Sequence, residues 1–332
     1  MVHRKTVTIL GGGAWGCALA MVAEMAGSRP IVWMRDPEDA AKTNRTRMAP
    51  RLSDFSLDED IIVTADIAEA VGQAKDAVVL AVPAQAIREV TAIAAPYLSK
   101  NTPLILAAKG IETETGRLLS EVIEAILPQT TLAVLSGPSF ADEVARGFPT
   151  GLTLACRDTR KARHLASLFM LPHFRPYISN DPIAAEIGGA LKNVMAIAAG
   201  IIIGRKLGEN ARATLLTRGL GEMIRLGKAK GAKAATFSGL SGLGDLILSA
   251  TSERSRNYAL GIMIGRGTSV HQLIGNGQPL VEGVPTAAAA TLLASTLNID
   301  MPITAAVDAI LHLGARIEDR MIELLARPIG RE

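Results

Sequence analysis

A chain of 332 residues, 48% hydrophobic and 20% charged, is long enough for two domains with separate cores. That balance excludes a disordered or fibrous protein and is ordinary for a folded enzyme. A net charge of +3 without dense Lys/Arg runs, and an aromatic share of 3%, argue against a nucleic-acid surface. So mild a positive balance still suits a protein that draws in small phosphorylated molecules.

Thr6 to Leu10 reads as a buried strand running into Gly11-Gly12-Gly13-Ala14-Trp15-Gly16 and then an alanine-rich helix start. Gly11, Gly13 and Gly16 fit G-x-G-x-x-G in the context it needs, with a strand before and a helix after. The glycines allow a tight turn, close approach of backbone to a pyrophosphate, and close helix–strand packing. A second strand, Ile31 to Met34, ends at Arg35-Asp36. An acid at this point bonds a ribose hydroxyl and favours NAD, whereas an arginine accommodates a 2′-phosphate and favours NADP. Both types stand side by side, so the cofactor is NAD(P), with a slight lean to NADP(H).

Further strand-like runs are Ile61 to Thr64, Ala77 to Val82, Leu104 to Ala107, Leu132 to Leu135 and Leu152 to Ala155. Helical patterns such as Ala84 to Ala95 and Gly116 to Leu127 lie between most of them. This alternation predicts a mainly parallel, doubly wound sheet. Pro83 ends one strand where such a sheet opens onto its ligand. Two loops at strand ends carry polar chemistry. One is Ala107-Ala108-Lys109-Gly110; the other is Ser136-Gly137-Pro138-Ser139-Phe140-Ala141, whose small residues let backbone approach a ligand. Either loop also reads as a plain surface turn.

After Asp181 and Pro182 the texture turns helical, so we expect residues 1–181 to form a dinucleotide-binding domain and 182–332 an all-α substrate domain. The stretch Ile183 to Gly204 is almost wholly apolar yet holds Glu186, Lys192 and Asn193. A lysine there either snorkels to the surface along its stem or, desolvated, moves a proton near neutral pH. The run after Lys192 ends at Arg205 and Lys206, too soon to span a bilayer. With no secretory signal near the start, the expectation is a cytoplasmic protein without a membrane span. Cys17 and Cys156 match no metal spacing and read as small buried residues in a reducing compartment.

Farther on, Asp245 opens an apolar helix after Gly239-Leu240-Ser241-Gly242-Leu243-Gly244. It reads as a helix cap or as a carboxylate that holds Lys192 or a substrate hydroxyl. Arg254, Ser255, Arg256 and Asn257 supply donors suited to a phosphate, or an exposed charged turn. Val281-Glu282-Gly283 precedes another helix.

Taken together, GGGAWGCALA, AAKGIE, SGPSFADEVA, GGALKNVMAIAAGI, GLSGLGDLILSATSERSRN and LVEGVPT, in that order, resemble the bacterial-type NAD(P)-dependent glycerol-3-phosphate dehydrogenases. The resemblance runs from the glycine loop to about residue 315. It implies a Rossmann domain followed by an all-α domain of the 6-phosphogluconate-dehydrogenase-like kind. It also implies hydride exchange between glycerol 3-phosphate and dihydroxyacetone phosphate, a role in phospholipid synthesis, and a homodimer. By the same resemblance Lys192 is the proton acceptor, and Lys109, Gly137, Ser139, Asp245, Ser255, Arg256 and Asn257 line the substrate. Ala14, Trp15, Arg35, Lys109, Ala141, Arg256, Leu280 and Glu282 lie along the dinucleotide. Ala14 stands where relatives often carry Ser, and Ala108 where they often carry Ser or Thr, so hydroxyl contacts there are absent. The rival readings are a hydroxyacid dehydrogenase of related architecture and a non-catalytic dinucleotide sensor.

Overall fold

The computed structural model describes residues 4–274 and 280–328. By their contacts they fall into two compact units. The first takes Met1–Lys109 and Leu118–Glu186, the second Gly110–Arg117 and Ile187–Glu332. The change of unit therefore lies inside a helix, a few residues past Asp181, and a short piece around residue 112 belongs to the second unit.

The first unit is built on ten strands, β1 Thr6–Leu10, β2 Arg29–Trp33, β3 Met48–Ala49, β4 Leu52–Ser56, β5 Ile62–Thr64, β6 Ala77–Leu80, β7 Leu104–Leu106, β8 Leu132–Ser136, β9 Thr150–Cys156 and β10 Phe174–Ser179. Eight form one sheet in the order β10-β9-β8-β7-β6-β1-β2-β5, and β3 and β4 form a separate hairpin. Every pair in the large sheet is parallel except β8 with β9. Two cores, one on each face, explain the near-continuous apolar strands. In β6, Ala77 and Val79 join the core that holds Val7 and Ile9, while Val78 and Leu80 join the one that holds Leu10. The period of two puts neighbouring residues on opposite faces.

Strand order reverses between β1 and β6. This switch point is where a doubly wound sheet opens for a ligand. The sequence reading finds seven of the eight strands of this Rossmann-type sheet and misses β10. That strand, FRPYIS, is exposed at Arg175, Tyr177 and Ile178, because it is the edge. Pro176 is tolerated there since an edge strand has one unpaired side.

Apart from Gly110–Arg117, the regular elements of the second unit are helices among the described residues. Its long helix, Pro182–Gly204, has 23 residues. Pro182 follows Asp181, whose Oδ1 accepts the Ala184 N–H at 3.1 Å, so the start is capped. By length and composition this helix could cross a membrane, but 78% of its most apolar window is buried inside the protein. The helix Glu209–Ala229 contributes Glu222, which is 1% exposed. Its carboxylate accepts the N–H groups of Ile303 (2.6 Å) and Thr304 (3.0 Å) and the Thr304 hydroxyl (2.8 Å). It thereby caps the helix Pro302–His312 from a distant stretch. Removing it in Glu222→Ala orphans these donors and should lower the urea-unfolding free energy by roughly 2–3 kcal/mol.

Candidate active site

In the first unit the glycine loop leaves β1 and enters the helix Ala14–Met25. Gly11 has φ +121°, and a Cβ there would lie 2.7 Å from the Ala81 carbonyl oxygen at the end of β6. At Gly16 a Cβ would lie 1.8 Å from the Gly11 oxygen, so the third glycine is fixed by helix–strand packing. Gly13 differs, because a Cβ there would meet no protein atom within 4 Å. The chain does not itself require glycine at 13, whereas an approaching pyrophosphate does. The helix then opens at Ala14 and Trp15 with no side-chain cap and no acid in its first turn. Uncapped N–H groups at the positive end of a helix fit an anion. The donor set therefore suits a dinucleotide.

Arg35 is exposed just past β2. Asp36 is engaged locally, since its Oδ1 accepts the Glu38 N–H at 2.8 Å as the cap of the helix Pro37–Thr46. At the ends of β7 and β8 two donors converge on one carbonyl. Lys109 Nζ and Ser139 Oγ each donate to the Gly137 oxygen at 3.0 Å. Gly137 has φ +151°, and a Cβ on it would lie 2.8 Å from Leu152 Cα. Ala141 opens the short helix Ala141–Ala145 directly after this loop.

The second unit holds the buried lysine. Lys192 turns its ammonium inward, donating to Asp245 Oδ1 at 2.8 Å and to Ser249 Oγ at 2.7 Å. The Lys192 side chain is 12% exposed and that of Asp245 1%. Burial disfavours both charges, and each offsets the other's desolvation. Asp245 begins the helix Asp245–Thr251 directly after a π-helical turn, Leu240–Gly244. Such turns are uncommon and recur at functional positions. Backbone packs tightly here: a Cβ at Gly188 would lie 2.3 Å from the Ser241 oxygen. Gly188 is thus what lets this turn lie against the lysine-bearing helix.

Beside the lysine runs a second polar chain. Asn257 Nδ2 donates to Asn193 Oδ1, and the Gly283 N–H donates to Asn257 Oδ1, both at 2.9 Å. Ser255 caps the helix Arg256–Gly265 by accepting the Tyr258 N–H at 3.4 Å. Arg256 donates to the Leu280 carbonyl at 2.7 Å. Glu282 stands at the start of the helix Gly283–Thr296, where its carbonyl accepts the Thr286 hydroxyl.

Lys192, Asp245, Asn257, Arg256, Leu280 and Glu282 are thus within the second unit's fabric. Gly11, Gly13, Ala14, Trp15, Gly16, Arg35, Lys109, Gly137, Ser139 and Ala141 belong to the first. Sequence reasoning misses Ser249 and the pairing of Asn193 with Asn257. Ser249 is visible in retrospect, since it lies one helical turn after Asp245 and so shares its face. The cysteines are inert: both are buried, and burial pushes the Cys17 thiol up to about 12.

Two family models match the chain. One, described as the NAD-dependent glycerol-3-phosphate dehydrogenase N-terminus, covers residues 6–162, and its C-terminal counterpart covers residues 181–321. A curated glycerol-3-phosphate dehydrogenase [NAD(P)+] of Rhodospirillum rubrum is 48% identical over 98% of this chain and 93% of its own. One of Bradyrhizobium diazoefficiens is 46% identical over the full length of both. The crystal structure of a glycerol-3-phosphate dehydrogenase from Coxiella burnetii superposes with a TM-score of 0.91 at 35% identity, over 98% of this chain and 99% of that one. Matches of this extent, over both units and all the motifs above, place the chain in the NAD-dependent glycerol-3-phosphate dehydrogenase family.

Proposed function

We propose that the protein interconverts dihydroxyacetone phosphate and sn-glycerol 3-phosphate with NAD(P)(H). Carrying this reading is the ammonium of Lys192, buried and held by Asp245 and Ser249. An ammonium has three N–H bonds. Asp245 and Ser249 each accept one, which holds the ammonium in place. The ammonium serves the C2 oxygen, giving a proton when the ketone is reduced and taking one back when the alcohol is oxidised. The nicotinamide, when bound, exchanges a hydride with C2.

Other residues bind and orient. The phosphate of the substrate takes its place at the start of the helix Arg256–Gly265, where Arg256 adds its guanidinium and the backbone N–H groups of Arg256 and Asn257 point outward along the helix. Lys109, Gly137 and Ser139 complete the polar lining. Asn193 and Gly283 hold the Asn257 amide, so Asn257 works from a fixed position. Gly11, Gly13, Ala14, Trp15 and Gly16 hold the pyrophosphate, with Ala141, Leu280 and Glu282 along the rest of the cofactor.

Because Asp36 is engaged as a helix cap, Arg35 sets the cofactor choice, and NADP(H) is preferred. Residues 1–181 act as the dinucleotide-binding domain and 182–332 as the substrate domain. The enzyme works as a cytoplasmic homodimer that supplies glycerol 3-phosphate to phospholipid synthesis. The test is the rate of NADPH and NADH oxidation with dihydroxyacetone phosphate, side by side, for wild type and Arg35→Ala. The triose phosphate should be reduced faster with NADPH, and Arg35→Ala should erase about a tenfold preference. Faster turnover of a phosphate-free hydroxy acid, or cofactor binding with no turnover, overturns the reading.

A further inference from the structure

Glu186 is an acid buried to 4% exposure, and the proton chemistry of Lys192 makes no use of it. Its Oε1 accepts the Ser120 backbone N–H at 2.9 Å, and its Oε2 accepts the Ser120 hydroxyl at 2.6 Å. The Leu119 N–H bonds it as well. These donors open the helix Leu119–Ile126, so Glu186 caps that helix from a distant part of the chain. Glu121, the charged neighbour that acts on it, repels its ionised form.

Ala184, Ala185, Gly188, Gly189 and Ala190 surround Glu186 in sequence, leaving Ile183 and Ile187 as the only large side chains before Leu191. Apolar contact is non-directional, so small side chains at this end add little to the setting of the helix, which farther along is held by backbone contacts at Gly188, Gly200 and Gly204. Hydrogen bonds are directional and fix both rotation and axial slide. Lys192 lies less than two turns farther along the same helix.

Resting on the activity proposed above, we infer that Glu186 is a positioning residue for Lys192. It pins the rotation and axial setting of the helix at its root, and a rigid helix carries that setting to the ammonium. The protonated carboxyl keeps the whole arrangement: one oxygen accepts the backbone N–H groups, and the O–H is shared with Ser120 Oγ. Losing the proton puts a charge in a dry place that faces Glu121. Burial pushes the Glu186 carboxyl up to about 7, against the pull of its hydrogen bonds. A folded value above the unfolded one means that the group's contribution is whole below about pH 4.5 and is lost as pH rises through about 7.

Glutamine reproduces the protonated form, since its carbonyl accepts the N–H groups and its amide donates to Ser120 Oγ. The experiment is kcat for the full-length enzyme with NADPH and dihydroxyacetone phosphate at roughly pH 5.5–9. The ratio of Glu186→Gln to wild type should be near one at low pH and rise about threefold or more above pH 7, other ionisations cancelling in the ratio. Glu186→Ala should lose about tenfold in kcat with the KM for NADPH changed less than about twofold. Should that variant not fold, Ser120→Ala replaces it. With one donor gone, ionisation becomes harder and the inflection moves to higher pH. A flat Gln-to-wild-type ratio, wild-type kcat in Glu186→Ala, or an unmoved inflection in Ser120→Ala overturns the inference while leaving the activity standing. Wild type that does not turn over the triose phosphate overturns both.

Discussion

Lys192→Met should lower kcat by on the order of a thousandfold or more while the Kd for NADPH stays within about twofold. The loss is large because the substitution removes the proposed proton donor itself, an ammonium held by Asp245 at 2.8 Å and Ser249 at 2.7 Å. NADPH keeps the glycine loop, Arg35, Leu280 and Glu282, none of which the substitution changes. The substitution also has a structural effect, since it leaves a carboxylate that is 1% exposed without its cation. Breaking a buried pair from one side costs about 3–5 kcal/mol unless the survivor takes up a proton. The two effects come apart in the double variant Lys192→Met/Asp245→Leu. Stability should return toward that of wild type, because neither charge remains, while kcat stays at the level of the single variant. Steady-state kinetics and thermal unfolding on the same preparations check both. A Lys192→Met enzyme with kcat within tenfold of wild type removes the lysine from the proposed mechanism.

Gly261→Val should be among the most destabilising single changes in the second unit. The helices Pro182–Gly204 and Arg256–Gly265 touch along Gly200, Gly204, Gly261 and Gly265. A Cβ at Gly261 would lie 2.1 Å from the Ile197 carbonyl oxygen, and one at Gly200 would lie 2.2 Å from the Tyr258 oxygen. The obstacle is backbone in both cases, so no rotamer change relieves it. The axes must separate, which opens voids along the whole contact. We expect a loss of at least ~3 kcal/mol and a fall in Tm of roughly 6–12 °C. Activity should fall further than stability alone requires, because Asn257 and Asn193 meet along the same crossing. Gly221→Ala is the control: that helical glycine has only the tip of Arg225 within 4 Å, at 3.6 Å. Alanine there should gain about 0.5–1 kcal/mol by reducing the freedom of the unfolded chain. Equal Tm values for the two variants contradict the account of the crossing.

The glycine loop is legible in the sequence because its reasons are local: a strand, a turn and a helix start within a dozen residues. Lys192 is legible for the opposite reason, as a charge that an apolar helix tolerates only with a partner. Its partner Asp245 is nameable as one of two readings, while Ser249 looks like any small residue in a helix. The Asn193–Asn257–Gly283 chain joins three stretches far apart in sequence, and nothing local announces it. Strand β10 escapes because an edge strand with Arg, Pro and Tyr lacks the apolar continuity of its buried neighbours. The reversed direction of β9 is equally silent, since alternation of side chains is the same in either sense. The position of Gly110–Arg117 within the second unit has no signature either, as the segment reads as a turn between a strand and a helix.

The amide of Asn257 faces Asn193 on one side and the backbone of Gly283 on the other. Three short words of sequence, LKN, SRN and VEG, therefore behave as one mechanical part, although dozens of residues separate them. The connecting segments are free to lengthen, shorten or diverge, but a change in any of the three words alters the footing of the other two. Paired substitutions among them should show strong coupling where substitutions in the intervening chain simply add.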